Sequence, residues 1–150
     1  MGEFKLIQEI ISLSVADTWE FAKSEWELSE IYFSDEPETC LCGHYPIIEL
    51  CEIRNKENRE IAIVGNCCVS KFMGLPSEKI FQAVKRVRKD SEKSLNRETI
   101  ELACSKDWIN DWEYEFYIDT LRKRRLTEKQ TLKRKQINEK ILANINKDKK

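Results

Sequence analysis

No stretch of this sequence comes near the roughly 20 consecutive apolar residues that a helix needs to cross a bilayer. The N-terminus has neither the basic start nor the apolar centre of a secretory signal, so a cytoplasmic location is expected. In that compartment six cysteines read as reduced thiols or metal ligands rather than disulfides. Histidine occurs once, at His44, which leaves little room for triad chemistry. The four glycines form no phosphate-binding loop, and no paired-carboxylate pattern, internal repeat or low-complexity segment is present. These absences predict a protein that is not an enzyme.

What remains is a heavily charged globular chain. Hydrophobic residues make up 41% and charged residues 35% of 150 positions, enough for one domain with a modest core. The net charge of −1 conceals a gradient. Residues 1–60 hold 14 acids and 5 bases, residues 61–120 hold 10 and 9, and residues 121–150 hold 3 and 12. An acidic front and a basic tail point to a polyanion partner for the tail, or to mutual neutralisation of the two ends in the fold.

Five cysteines and His44 fall within 39–72. Cys40, Cys42 and His44 share a short turn with Gly43. An apolar run at 47–54 carries Cys51, a polar turn at 55–60 reverses the chain, and a second apolar run follows at 61–64. Gly65 and Asn66 then turn to present Cys67 and Cys68. Two cysteine-bearing turns joined by a hairpin are the plan of a zinc ribbon.

Around that hairpin the pattern is mostly helical. Residues 1–24 have helical spacing with an expected break, capped by Ser14 or Asp17. Residues 25–33 alternate at Trp26, Leu28 and Tyr32 and predict a strand, and 34–38 predict a loop because Pro37 cannot donate to a ladder. A helix is expected from Ser77 to about Lys89, with Ile80, Val84 and Val87 on one face. A short helix face follows at Ile100, Ala103 and Cys104. Trp108, Trp112 and Phe116 recur every four residues and are expected in the core, the alternative being an exposed platform for stacking bases. Thr127 and Gln130 form a capping-box pattern. It opens a helix to about Asn146, with Ile137, Ile141 and Ile145 on one face and Lys129, Lys133, Lys140 and Lys147 flanking it. The expected fold class is α+β: a small zinc-ribbon-like β-hairpin flanked by helices, with long amphipathic C-terminal helices. Its segments are 1–38, 39–72 and 73–150, all in one compact domain.

Zinc takes four nitrogen or sulfur ligands in a tetrahedron, and the preferred set is Cys40, Cys42, Cys51 and Cys68. His44 is the first substitute, in place of Cys51. Cys67 is a second, although side chains adjacent in sequence diverge. With three or more thiolates the single zinc ion is expected to be structural.

The run C-x-C-G-H, then apolar residues, I-R-N and I-V-G-N-C-C-V-x-K-F resembles small zinc-ribbon proteins of phages, prophages and other bacterial mobile elements. The shared pattern falls on Cys40, Cys42, Gly43, Asn55, Val64, Gly65, Cys68, Val69 and Phe72, and it favours Cys68 over Cys67. The 126–130 stretch with Ile137 and Asn138 is similar to tails of such proteins. The resemblance implies a zinc fold of mobile-element origin acting in a bacterial host cell. It implies no activity.

Two functions fit these features. One is a zinc-containing module that binds DNA or RNA, with Lys85, Arg86, Arg88, Arg122, Lys123, Arg124, Arg125, Lys133 and Arg134 on phosphates. Because cations also favour the last turn of a helix, the cluster around Lys85 has a purely structural explanation as well. The other is an anti-defence inhibitor, anti-CRISPR-like, that meets a host protein through acids such as Glu25, Glu27, Glu36 and Glu38. The apolar face of the last helix can also seal a homodimer.

Overall fold

In the computed structural model, which describes residues 2–145, the chain is α+β, with three strands and seven helices among the described residues. It divides into two compact units, Met1–Glu78 and Lys79–Lys150.

The first unit opens with α1 (Gly2–Ser12), which buries Leu6 and Ile10, and a short α2 (Trp19–Lys23). The expected break between them is present. Its cause is Glu25, whose two carboxylate oxygens accept the backbone N–H groups of Val15 and Ala16 at 2.8 Å each. Amides held by a side chain are lost to a continuing helix. Thr18, rather than Ser14 or Asp17, occupies the N-cap position of α2.

An antiparallel sheet follows in the order β1 (Trp26–Glu38), β2 (Ile47–Asn55), β3 (Ile61–Gly65). The register of β1 shifts between Leu28 and Glu30, so Ser29 is an extra residue. Such a bulge changes which side chains point to a given face. Trp26 and Leu28 pair with Asn55 and Ile53, and beyond the bulge Ile31 rather than Tyr32 joins their face, opposite Cys51. Cys51 in turn pairs with Val64, and Ile53 with Ala62, which gives the sheet its buried face. Residues 34–38 are not the expected loop. They continue β1, with Glu38 paired to Ile47 after an irregular stretch. Pro37 is tolerated because β1 is an edge strand, where a missing donor breaks no ladder.

The hairpin turn at 55–60 is built around Asn55. Its backbone N–H donates to the Glu60 carbonyl at 2.8 Å, and its Oδ1 accepts the amides of Glu57 and Asn58. Asn55 Nδ2 donates to Glu25 at 2.8 Å. After β3, α3 (Asn66–Phe72) begins directly at Asn66, so Cys67 and Cys68 lie in a first helical turn rather than on a second knuckle.

The helix α4 (Ser77–Lys89) carries the chain into the second unit, which also holds α5 (Arg97–Ser105), α6 (Asp111–Thr120) and α7 (Glu128–Ile145). Caps set three of these starts. Asn96 accepts from Thr99, Asn110 and Glu113 form a complete capping box, and Thr127 and Gln130 exchange hydrogen bonds of 3.0 and 3.1 Å as their spacing predicts. Ile137, Ile141 and Ile145 are buried, so the apolar stripe of α7 is already covered. The expected end of this helix near Asn146, and Lys147, lie outside the described residues.

The aromatic expectation for α6 needs correction. Trp112 is 59% exposed, and Trp108 and Phe116 are only half-buried. The face turned inward is Glu113, Tyr117 and Thr120. Polar groups occupy it because each is bonded. Glu113 meets Lys140 Nζ at 2.9 Å, the Tyr117 hydroxyl donates to Asn138 at 2.6 Å, and Thr120 donates to the Phe116 carbonyl at 2.9 Å. A satisfied polar face is buried without penalty, which a hydrophobic count does not register.

Candidate metal centre

The first cysteine turn is closed by its backbone. Cys40 N–H donates to the His44 carbonyl at 2.9 Å and Gly43 N–H to the Cys40 carbonyl at 2.8 Å, with Gly43 at φ +94°, a conformation that suits a residue without Cβ. Within this loop the amides point at sulfur. Cys40 Sγ accepts from Cys42 N–H at 3.4 Å and from Gly65 N–H, at the end of β3, at 3.3 Å. Cys42 Sγ accepts from His44 N–H at 3.4 Å. A Cβ at Gly65 would lie 3.1 Å from Ile47 Cδ1 and 3.4 Å from Cys40 Sγ, so a side chain there would require these neighbours to give by a few tenths of an ångström. Gly2, the first residue of α1, approaches Cys42 from another side, at 3.5 Å from Sγ for an added Cβ.

Cys68, on the first turn of α3, completes a cluster. The sulfurs of Cys40, Cys42 and Cys68 all lie within 4.8 Å of one another. In a tetrahedral zinc site with bonds near 2.3 Å, sulfurs are about 3.8 Å apart, a spacing compatible with three sulfurs grouped this closely. The three sulfurs can therefore bind a metal. Electrostatics agree. The hydrogen bond shared with Cys68, helped by the amides of Cys42 and Gly65, holds the Cys40 thiol below the ordinary thiol range. Cys68 is pushed the other way, chiefly because it keeps the proton that it shares with Cys40. A divalent cation held here would take over the task of that proton, because it favours the thiolate form of every sulfur around it.

The remaining sulfur candidates lie elsewhere. Cys51 is fully buried on the covered face of the sheet and is not part of the cluster. Burial pushes its thiol up to about 12, against a hydrogen bond with Ser77. The Ser77 hydroxyl donates to Asn66 Oδ1 at 2.6 Å, and Asn66 Nδ2 donates to Glu49 at 3.0 Å. Cys51 thus belongs to a polar network that fixes the start of α3, and hence Cys68. Cys67 is exposed. His44 is exposed too, but with Glu49, Ile48 and the three clustered cysteines it lines a cavity of about 430 Å³. Cys104, on the helix face it shares with Ile100 and Ala103, is half-buried.

The basic residues also separate. Arg122, Lys123, Arg124 and Arg125 are all exposed on the connection between α6 and α7, and no side-chain hydrogen bond or ion pair ties them among the described residues. Arg134 is not available to a phosphate. It is only 6% exposed, donates from Nη2 to the Thr120 carbonyl at 2.7 Å and covers the Tyr117 ring at 5.4 Å. A cation at the last carbonyl of α6 is bound by the helix terminus itself. Lys133 lies over the Trp112 ring at 5.1 Å. Lys85, Arg86 and Arg88 are exposed on the last turns of α4, where Arg86 donates to the Ser94 carbonyl at 2.8 and 3.2 Å. Among the acids, Glu25 is a buried structural carboxylate, held below the usual range first by Asn55 and then by the Val15 and Ala16 amides.

No helix among the described residues is long and apolar enough to cross a membrane. No protein-family model, curated protein or solved structure matches the chain.

Proposed function

We propose that the protein is a non-enzymatic zinc module that binds nucleic acid. Cys40, Cys42 and Cys68 supply three thiolates, and His44, which lines the same cavity, rotates inward as the fourth ligand. A site filled by four protein ligands has no open position for a substrate, so the ion is structural. The resemblance to small zinc-ribbon proteins of phages and bacterial mobile elements supports the same centre, with Cys68 as the ligand from the second cysteine pair.

The observation that carries the nucleic-acid reading is the exposed Arg122, Lys123, Arg124 and Arg125 run. Four cations on one connection of a unit rich in lysine and arginine form an electrostatic footprint for phosphates. Binding of the zinc-loaded chain to labelled single- and double-stranded DNA and RNA, followed across a salt titration, tests it. The expected result is affinity that falls steeply as salt rises, with a shallower slope after Arg122, Arg124 and Arg125 are changed to Glu. Salt-independent binding, or none at low salt, would sink it. The alternative reading, an anti-defence inhibitor acting on a host protein, draws on Asp35, Glu36 and Glu38, which are exposed along the edge strand β1.

A further inference from the structure

We infer that the partner of the second unit is a single-stranded nucleic acid, and that Trp112 is the platform on which one of its bases stacks. This inference rests on the nucleic-acid reading above and adds to it a strand preference and a residue. Single exposed apolar side chains are common and need no explanation. Trp112 is more than that. It keeps 59% of its surface open although Phe116 stacks on it, with ring centroids 5.4 Å apart and planes within 13° of parallel. An offset aromatic pair on successive helical turns is a rigid shelf, since each ring limits rotation of the other.

The second component is charge. The Lys133 ammonium lies 5.1 Å from the centre of the Trp112 ring. A base that takes this ring displaces the flexible ammonium from it, and the ammonium then takes the neighbouring phosphate. Arg122, Lys123, Arg124 and Arg125 follow the C-terminal end of the same helix, beyond the exposed carboxylates of Glu115 and Asp119. A duplex cannot use the shelf, since its base faces are stacked against one another, whereas a single strand presents them.

The test uses the full zinc-loaded chain with a labelled oligothymidine and a duplex of equal phosphate number. Trp112→Ala is expected to weaken oligothymidine binding by about 10-fold or more, the range of one lost base–aromatic stack. Duplex binding and the salt slope should stay unchanged, and Trp112→Phe should restore most of the loss. Trp112 lies outside the core, so an unchanged melting temperature will show that the variant folds. If Trp112→Ala binds oligothymidine as the parent does, or loses single strand and duplex alike, the inference is overturned while salt-dependent binding still supports the wider reading. Absence of binding by the parent chain overturns both.

Discussion

The two units of this chain differ in charge and in the chemistry that their side chains bring together. Residues 1–78 hold 15 acids and 6 bases, residues 79–150 hold 12 and 20. The acidic unit is a three-stranded sheet with three short helices, and its cysteine turn is shaped around sulfur. The basic unit is helical and secures itself with side-chain caps and a buried network. The Leu95 amide donates to the Tyr117 hydroxyl at 2.8 Å, and that hydroxyl donates to Asn138. Asn138 in turn donates to the carbonyls of Ser91 and Lys93 at 3.0 and 2.8 Å. The first unit gathers three sulfurs that can hold a metal, and the second ties its helices together through hydrogen-bonded polar side chains in the interior. Agents that act on one chemistry should therefore spare the other.

Metal removal should separate the units most widely. In small zinc domains the ion contributes about 10–16 kcal/mol of apparent binding free energy, all of it available to folding. A chelator is expected to melt the sheet unit while most of the helical circular dichroism survives, and Cys68→Ser should do the same without chelator. Cys51→Ala should leave one zinc bound per chain by metal analysis, since that thiol faces Ser77 and not the cluster. A melting curve unmoved by chelation would remove the metal from the account. Zinc lost in Cys51→Ala would return that residue to the ligand set.

The reverse experiment is Asn138→Ala. It strands the Tyr117 hydroxyl and two carbonyls, and leaving buried partners unsatisfied costs about 1–3 kcal/mol each, less where water enters. A loss of about 2–4 kcal/mol in the second unit with metal stoichiometry unchanged is expected by thermal denaturation. An equal loss of zinc would show that the two chemistries are not separable.

What could be read in advance follows the same division. Turn chemistry is local, so the 55–60 hairpin, the Thr127 capping box and the cysteine turn were visible in residue order alone. Which face a side chain takes is not local. The extra Ser29 reverses the alternation of β1, and whether Cys51 points at the cluster or at Ser77 depends on strand pairing, not on spacing. Arg134 reads as surface because charge usually is. Its burial depends on the Thr120 carbonyl, fourteen residues away in sequence. Trp112 reads as core because a four-residue aromatic spacing usually is, yet Glu113, Tyr117 and Thr120 take that place with hydrogen bonds.

Acid should act on the sheet unit through Glu25. The Glu25 carboxylate is held low by Asn55, Val15 and Ala16, whereas in the unfolded chain it titrates near ~4.3. Its stabilisation is therefore complete above the unfolded value and disappears as pH falls through the lowered folded value. Glu25→Gln should flatten that acid limb of a stability–pH curve, with a smaller difference from the parent at the acid end than at neutral pH. A parallel displacement at every pH would show that only the shape of the side chain matters.

The smallest effect on stability is expected where the effect on binding is greatest. Arg122, Arg124 and Arg125 are exposed, and surface substitutions away from special features stay within about 0.5 kcal/mol. Changing all three to Glu should leave the melting temperature close to that of the parent and lower the salt slope for nucleic acid. Arg134→Ala is the counterpart. It removes a charge-assisted hydrogen bond from the end of α6, worth about 1.5–3 kcal/mol, and should destabilise the helical unit without touching the salt slope. Two changes among arginines so near in sequence would then report on opposite properties. If Arg134→Ala instead changed the slope and left stability alone, the guanidinium would be a surface group and the packing described for α6 and α7 would be wrong.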